Sequence, residues 1–535
     1  MIQILSADKL RAYVEQFNAL DNELYANTYP NAKALDFLAA NIPLFECPER
    51  SIEETYYFRW WTYRKHLRQT PDGWVVTEFL PDVCWASKHN AISCPAGHHL
   101  YEGRWLRDPR PLDEYAAFWL RKSDYPEDQK PSKWTLGYRS FSSWLADALW
   151  ARYCVTGDPA LPCELLPDLI ADFREWQKLR RDPGGLFWQV DTQDGMEFMI
   201  GGHGCRPSIN SYMYGNMRAI AAIAQLNNDS DTAAAFTVEA ERLQRLVQEK
   251  LWDDKARFFK TWVNEEGAKP HYDWQKFAPR IYPAGDFVDV RELIGFIPWY
   301  FNLPEPGFED AWSQLLSPHG FHAPFGPTTA EQRHPHFRYK HTHDCLWNGE
   351  SWPFATAQTL TAMANLLNNY DQTVIGKRDY LEAVRTYARS HRLTLPDGSV
   401  IPWSDENLDP FTGEWRARVV NLRRKAAGHN AIDERGKDYN HSTYCDLIIS
   451  GLCGLRPGPD DSLVVNPLIP EGLWDWFCLD NVRYHGRDIS IFYDADGSRY
   501  GKGAGLRVLV DGEEVIGKSR LCKVTVPLNT DKKYG

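Results

Sequence analysis

A chain of 535 residues with 43% hydrophobic and 25% charged residues is an ordinary folded polypeptide, too long for one small core. It is therefore several domains or one large repetitive architecture. A formal charge of −12, with no basic run longer than Leu422–Lys425, argues against nucleic acid and an anionic membrane as main partners, because both reward clustered Lys and Arg.

Helical patterns dominate in chain order. Apolar residues recur at helical spacing over Ala7–Leu24, Ile52–His66 and Leu112–Leu120. Hairpins follow. Phe141–Tyr153 and Leu165–Leu179 are joined by the turn of residues 157–162, and Ser208–Leu226 stops at Asn227 and Asn228 before a second helix restarts after Ser230. Val290–Phe301 reads as a further helix, Trp352–Leu367 with Arg378–Arg392 as a third hairpin, and Tyr439–Leu452 as the last helical segment. After Leu455–Ser462 the texture changes to alternating, β-rich runs ending in Asp-Gly turns at 496–497 and 511–512. Residues 1–455 are thus expected to form a mainly α toroid of paired helices, an (α/α)6 arrangement, with 456–535 a small β region packed on it. The large apolar residues of Val464–Val482 are too many to stay exposed.

Acids recur beside aromatic rings. Trp403–Trp415 carries Asp405 and Glu406 in a loop broken by Pro410 and Gly413, and His98–Trp105, Phe187–Phe198 and Cys345–Phe354 repeat the texture. An indole face stacks on the apolar face of a sugar ring while a carboxyl group works on its oxygens. A neutral carbohydrate substrate is expected, since these motifs offer aromatic faces and amides more than clustered cations. A narrow toroid mouth further favours action on the terminal sugar.

Taken together, the loop Trp403–Trp415, the segments Cys345–Leu360, Val290–Phe301 and Leu251–Phe259, and Tyr439–Pro457 resemble the six-hairpin (α/α)6-barrel glycosidases. That group includes trehalases, processing α-glucosidases, the mannosylglycerate-hydrolase-like enzymes and the β-L-arabinofuranosidase-type relatives. The resemblance implies an inverting reaction in which Glu406, before the turn of residues 410–413, is the general base, with Asp405 as the alternative. The trehalase and α-glucosidase branches place the general acid in an ESG-x-D motif that this chain lacks. In the corresponding region Glu197 is the candidate acid, flanked by Met196, Phe198, Met199 and Ile200, and Asp194 is the alternative. Glu350 stands where relatives usually carry proline, adding a third carboxylate as a substrate contact or an alternative acid. Glu406, beside Asp405, Asn407 and Asp409, is expected to be the wetter of the two catalytic groups.

Substrate contacts are expected from Glu102 and Arg104 as a clamp or a structural ion pair, and from Trp105, Trp347 and Trp352 as stacking platforms. His203, Arg206, Asn210, Asn348 and His441 are the candidates to orient sugar hydroxyls. No cofactor and no metal site are expected. His98 and His99 are adjacent and project apart, His341 and His343 with Asp344 lack a further ligand, and no acidic loop has calcium spacing. Eleven scattered cysteines read as buried thiols. The amino terminus reaches Asp8 and Lys9 before any long apolar run, so a cytosolic location is the default expectation, although a domain excised from a secreted enzyme would read the same. Oligomeric state leaves no signal. Two other readings of the cleft stay open: a carbohydrate-binding or scaffold protein, and a sugar epimerase or lyase.

Overall fold

In the computed structural model, which describes residues 4–132, 135–269, 282–339 and 343–528, fourteen α-helices are defined among those residues. They are α1 (Asp8–Leu20), α2 (Ala34–Asn41), α3 (Arg50–His66), α4 (Ala96–Gly103), α5 (Arg110–Arg121), α6 (Leu145–Thr156) and α7 (Ala160–Arg180). After these come α8 (Pro207–Leu226), α9 (Ser230–Lys250), α10 (Ile297–Tyr300), α11 (Ser313–Leu316), α12 (Pro353–Asn369), α13 (Lys377–Ser390) and α14 (Arg416–Ala426).

Burial sorts the helices into two layers. Nearly every residue of α4, α8, α10 and α12 is buried, whereas α5, α9 and α13 bury one stripe and leave the other face to solvent. A helix covered on all sides is an inner element, and an amphipathic one lies outside it. The inner helices contact one another in succession, α4 on α6, α6 on α8, α8 on α10, α10 on α12, and α12 on a π-helical segment, Leu447–Leu452. The ring closes between that segment and α4. Glu102 accepts hydrogen bonds from the backbone N–H groups of Tyr444, Cys445 and Asp446 at 2.9–3.1 Å, and Arg104 pairs with Asp446 at 2.8 Å. Outside the ring, α5 packs on α7, α8 on α9, α12 on α13, and α13 on α3. Close approach needs small residues. A Cβ on Gly97 of α4 would fall 2.1 Å from the Trp144 ring, and one on Gly215 of α8 would fall 2.2 Å from Phe301.

A five-stranded antiparallel sheet lies in the order 44–46, 476–484, 487–494, 505–510, 513–518. Its first strand comes from between α2 and α3, with Phe45 opposite Leu479. One apolar core runs from the helices into this sheet, with Phe45, Tyr56 and Trp60 in the same cluster as Trp474, Phe477 and Leu479.

The expected helices at Ile52–His66, Leu112–Leu120 and Ser208–Leu226 match α3, α5 and α8 to within two residues. Three segments differ. Val290–Phe301 is a short 3₁₀ turn, Leu293–Phe296, running into one turn of α10. Tyr439–Leu452 becomes helical only near its end, because Glu102 holds the free N–H groups of 444–446 in place of a preceding turn. The Asp496-Gly497 pair lies inside a longer loop gathered by Asp494, which accepts from the N–H groups of Gly497, Arg499 and Tyr500. Asp511-Gly512 is a two-residue hairpin turn with positive φ at both residues, 51° and 86°. All eleven cysteines are free thiols, seven of them buried. No described helix is long and apolar enough to cross a membrane.

Candidate active site

The loop of residues 403–415 is fastened at several points. Leu408 exchanges both backbone hydrogen bonds with Ser351 at 3.0 Å, and Asp409 caps the turn by accepting from Phe411 and Thr412. Asn407 is fully buried. Its Oδ1 accepts from the N–H of Ala417 at the start of α14, and its Nδ2 donates to the Asp344 carbonyl at 2.8 Å. These bonds leave the intervening Glu406 carboxyl little freedom. Arg435 grips it through Nε at 3.0 Å and Nη2 at 2.5 Å.

Glu406 is only 5% exposed, which corrects the expectation that it is the wetter carboxyl. Burial pushes it up to about 7, with Asp344 and Asp405 adding to the rise and Arg435 opposing it. Its charge is therefore supported by a guanidinium rather than by water. Asp405 is buried at 2% and accepts from the Glu406 N–H at 2.8 Å, so it orients its neighbour.

Glu197 projects from the irregular segment before α8. The residue after it, Phe198, has a φ of 61°. For a bulky aromatic residue this is an outlier, a backbone strain of about 1–3 kcal/mol that surrounding structure must enforce. The turn is held against residues 343–347. Trp347 donates its N–H to the Glu197 carbonyl at 3.0 Å, the Phe198 and His343 rings lie 4.9 Å apart, and the Cys345 thiol donates to Glu197 Oε2 at 2.7 Å. Burial pushes the Glu197 carboxyl up to about 7. The Cys345 hydrogen bond opposes that rise, while Asp191 and Asp344 reinforce it.

Glu197 and Glu406 thus belong to one cluster. Both raise the Cys345 thiol, which burial already holds well above its ordinary value. Both also raise Glu78, a buried carboxyl that sequence reasoning missed, which burial pushes up to about 8 and the Tyr439 hydroxyl hydrogen-bonds. Tyr439 in turn lies 4.1 Å from His441, ring to ring. Trp347 and Trp352 stack nearly parallel at 4.4 Å beside them. Several buried polar groups here have no protein partner among the described residues: both ring nitrogens of His98, the Asn348 amide and Trp347 Nε1. Buried polar groups without partners are uncommon in folded proteins, and at a site they mark positions a ligand can satisfy.

Several expected contacts instead have structural work. Glu102 and Arg104 form no clamp; each is spent on residues 444–446, as described above, and Trp105 is a fully buried core residue whose Nε1 donates to Asp446 at 2.7 Å. Asp194 and Arg206 are wholly buried against each other at 2.7 Å, with Ser208 also bonded to Asp194. That ion pair removes Asp194 as an alternative acid and Arg206 as a sugar contact, since freeing either would strand a buried charge. Asn210 is taken up by the backbone of Phe187 and Arg206. His203 lies against Asp191, whose N–H it accepts at 3.1 Å. Glu350 is buried between Arg338, at 3.1 Å, and Arg416, at 3.8 Å.

Residues 88–442 match the mannosylglycerate hydrolase MGH1-like glycoside hydrolase domain. The chain belongs to that family. Residues 455–516 match the C-terminal domain of glycosyl hydrolase family 65. A solved structure titled "Sialidase" is 42% identical, with a TM-score of 0.86, over 97% of this chain and 44% of its own. The chain thus spans less than half the length of that relative. Two α-L-rhamnosidase-type structures share the fold alone. The GH78 rhamnosidase of Bacillus sp. GL1 is 13% identical with a TM-score of 0.51, over 88% of this chain and 41% of its own. The Streptomyces avermitilis α-L-rhamnosidase, complexed with L-rhamnose, is 14% identical with a TM-score of 0.51, over 85% and 36%. The six-hairpin glycosidase fold expected from the motifs is the fold of this protein.

Proposed function

We propose that this MGH1-like domain is an inverting, exo-acting glycosidase that removes a terminal neutral sugar, with Glu406 as general base and Glu197 as general acid. The observation that carries the assignment is the difference between their partners. Glu406 is gripped by the Arg435 guanidinium, which favours the ionised form a base needs against the pull of Asp344 and Asp405, whereas Glu197 has a neutral thiol in place of a cation to oppose burial and the carboxylates Asp191 and Asp344, which favour the protonated form an acid needs. In the reaction Glu406 takes a proton from water on one face of the sugar while Glu197 gives its proton to the departing oxygen on the other. Asn348, His98 and Trp347 Nε1 are the groups we assign to sugar hydroxyls, with the Trp347–Trp352 stack as a wall.

A neutral sugar fits better than an acidic one. Glu78, Asp191, Asp344 and Asp405 surround the pair, and the nearby guanidiniums of Arg435 and Arg424 are already bonded to Asp344 or Glu406. A sugar carboxylate would enter a field of its own sign. We further propose that residues 1–455 are the catalytic unit and 456–535 a packing unit, a division supported by one family match ending at residue 442 and the other beginning at 455.

The test is a panel of aryl glycosides and oligosaccharides that includes a fluorogenic sialoside, read by sugar release and by proton NMR of the first-formed anomer. Glu406→Gln should lose about 10²–10⁴-fold in kcat with folding intact. A product of retained configuration, full activity in Glu406→Gln, or a sialoside turned over faster than every neutral glycoside would refute the corresponding part of the reading.

A further inference from the structure

Two adjacent residues, Asp344 and Cys345, hold the two carboxyl groups assigned to catalysis. On one side, Cys345 Sγ lies 2.7 Å from Glu197 Oε2, and the next peptide but one, that of Trp347, donates to the Glu197 carbonyl. On the other, Asp344 accepts from Arg435 Nη1 at 3.0 Å while the same guanidinium holds Glu406, and the Asp344 carbonyl accepts from Asn407, the residue after Glu406. Arg424 fixes Asp344 from α14 at 2.7 Å. Although burial opposes it, Arg435, His343 and Arg424 keep Asp344 below its ordinary range, so it remains an anion between them.

The thiol's chemistry is one-sided. Burial and the two glutamates keep Cys345 protonated, and a protonated thiol carries a single hydrogen to donate. That hydrogen goes to Oε2 of Glu197. The acid proton of Glu197 must then sit on Oε1, so the thiol decides which oxygen delivers it.

We propose that Asp344 and Cys345 are positioning residues for the catalytic pair: Cys345 orients the acid so that Glu197 delivers its proton from Oε1, and Asp344, through Arg435 and Asn407, sets the base at a fixed place relative to it. The inference rests on Glu197 and Glu406 being the acid and the base. No bond is made or broken at either positioning residue. Cys345→Ala therefore leaves both carboxyl groups in place but lets the Glu197 carboxyl rotate and share its proton between two oxygens.

The experiment compares the unmodified domain with Cys345→Ala, Cys345→Ser and Glu197→Gln, on a nitrophenyl glycoside and a methyl glycoside of the same sugar. The nitrophenolate leaves without protonation, whereas the methyl glycoside needs the acid. Cys345→Ala should lose on the order of 10- to 100-fold in kcat on the methyl glycoside, lose far less on the nitrophenyl glycoside, and keep KM. Cys345→Ser, whose hydroxyl also donates, should recover most of the loss. A hydrogen bond to the ionised carboxylate favours ionisation, so its removal should move the alkaline limb of the kcat/KM profile upward. The groups facing Glu197 besides Cys345 include Asp191, Asp344, Glu78 and the buried thiol of Cys94, and none is altered in these variants.

Equal losses on both glycosides, or no loss, in a folded Cys345→Ala protein would overturn the positioning role, provided Glu197→Gln still penalises the methyl glycoside more. If Glu197→Gln shows no such preference, the acid assignment itself fails and the positioning role falls with it.

Discussion

Arg435 is the group whose loss should move the protonation of Glu406 most directly. It is the cation bonded to Glu406, at 2.5 and 3.0 Å, and it reaches Asp344 with Nη1 at 3.0 Å. With it in place the Glu406 carboxyl stands at about 7. Removing an opposite charge within ~4–6 Å raises a carboxyl by about 1–3 units. A base that is half ionised at pH 7 would then be ionised in roughly a tenth to a thousandth of molecules, a loss of about 5- to 500-fold in kcat/KM at that pH. Arg435→Met should thus shift the acid limb of the profile upward by about 1–3 units and recover activity as pH rises. Arg435→Lys, keeping the charge without the fork, should shift it less. Breaking a buried pair also costs about 3–5 kcal/mol of stability, so the thermal midpoint must be measured alongside. The assay is kcat/KM on an activated aryl glycoside from pH 5 to 9.5. A folded Arg435→Met protein with an unmoved acid limb would refute the claim that this guanidinium sets the state of Glu406.

Two further outcomes concern stability. Five buried histidines, His66, His98, His99, His391 and His441, are held below their ordinary value by burial, and Glu78, Glu197, Glu292 and Glu406 are held up at about 7 to 8. Between the unfolded glutamate value of 4.5 and the histidine value of 6.5 the two sets oppose each other. Above 6.5 these glutamates still hold protons in the folded state that the unfolded chain has lost, so there they make the native form bind more protons than the unfolded chain. The thermal midpoint should stay nearly flat from pH 5 to 6.5 and fall between 6.5 and 8.5, with Glu78→Gln reducing the fall; a midpoint rising through that interval would contradict the burial argument. Glu102→Ala strands three buried N–H groups and should destabilise by at least about 3 kcal/mol, while Glu102→Gln should keep KM unchanged. A KM effect without a change in midpoint would return Glu102 to the substrate.

Legibility in the sequence followed local signals, and long helices were read whether they lie inside, as α8 does, or outside. Outer helices such as α9 and α13 have a polar face, so their apolar stripe repeats every 3.6 residues and can be read. By contrast, α4 is only eight residues long and carries two histidines and a glutamate, too short a run for its pattern to be read, and its helical form depends on neighbours such as Trp144. The same distinction governed the site. Glu406 and Glu197 sit in loops whose turn residues and aromatic flanks are local signals, whereas Glu78 acquires its setting from Tyr439, 361 positions away. Glu102 and Arg104, which the sequence left open between a clamp and a structural pair, and Trp105, expected to stack on sugar, show the opposite limit. An acid beside aromatic residues looked like a sugar contact, yet long-range burial against 444–446 commits all three to closing the ring.

That closing contact has a consequence for synthesis. Glu102 and the N–H of Tyr444 are separated by 342 positions. At about 5–20 residues per second, roughly 20 to 70 seconds pass between the emergence of one partner and that of the other. For that interval the buried surfaces of α3 and α4, and the unpaired edge at residues 44–46, wait for elements not yet made. A nascent chain of this protein consequently keeps apolar surface uncovered for that interval, and slowing translation late in the message lengthens it.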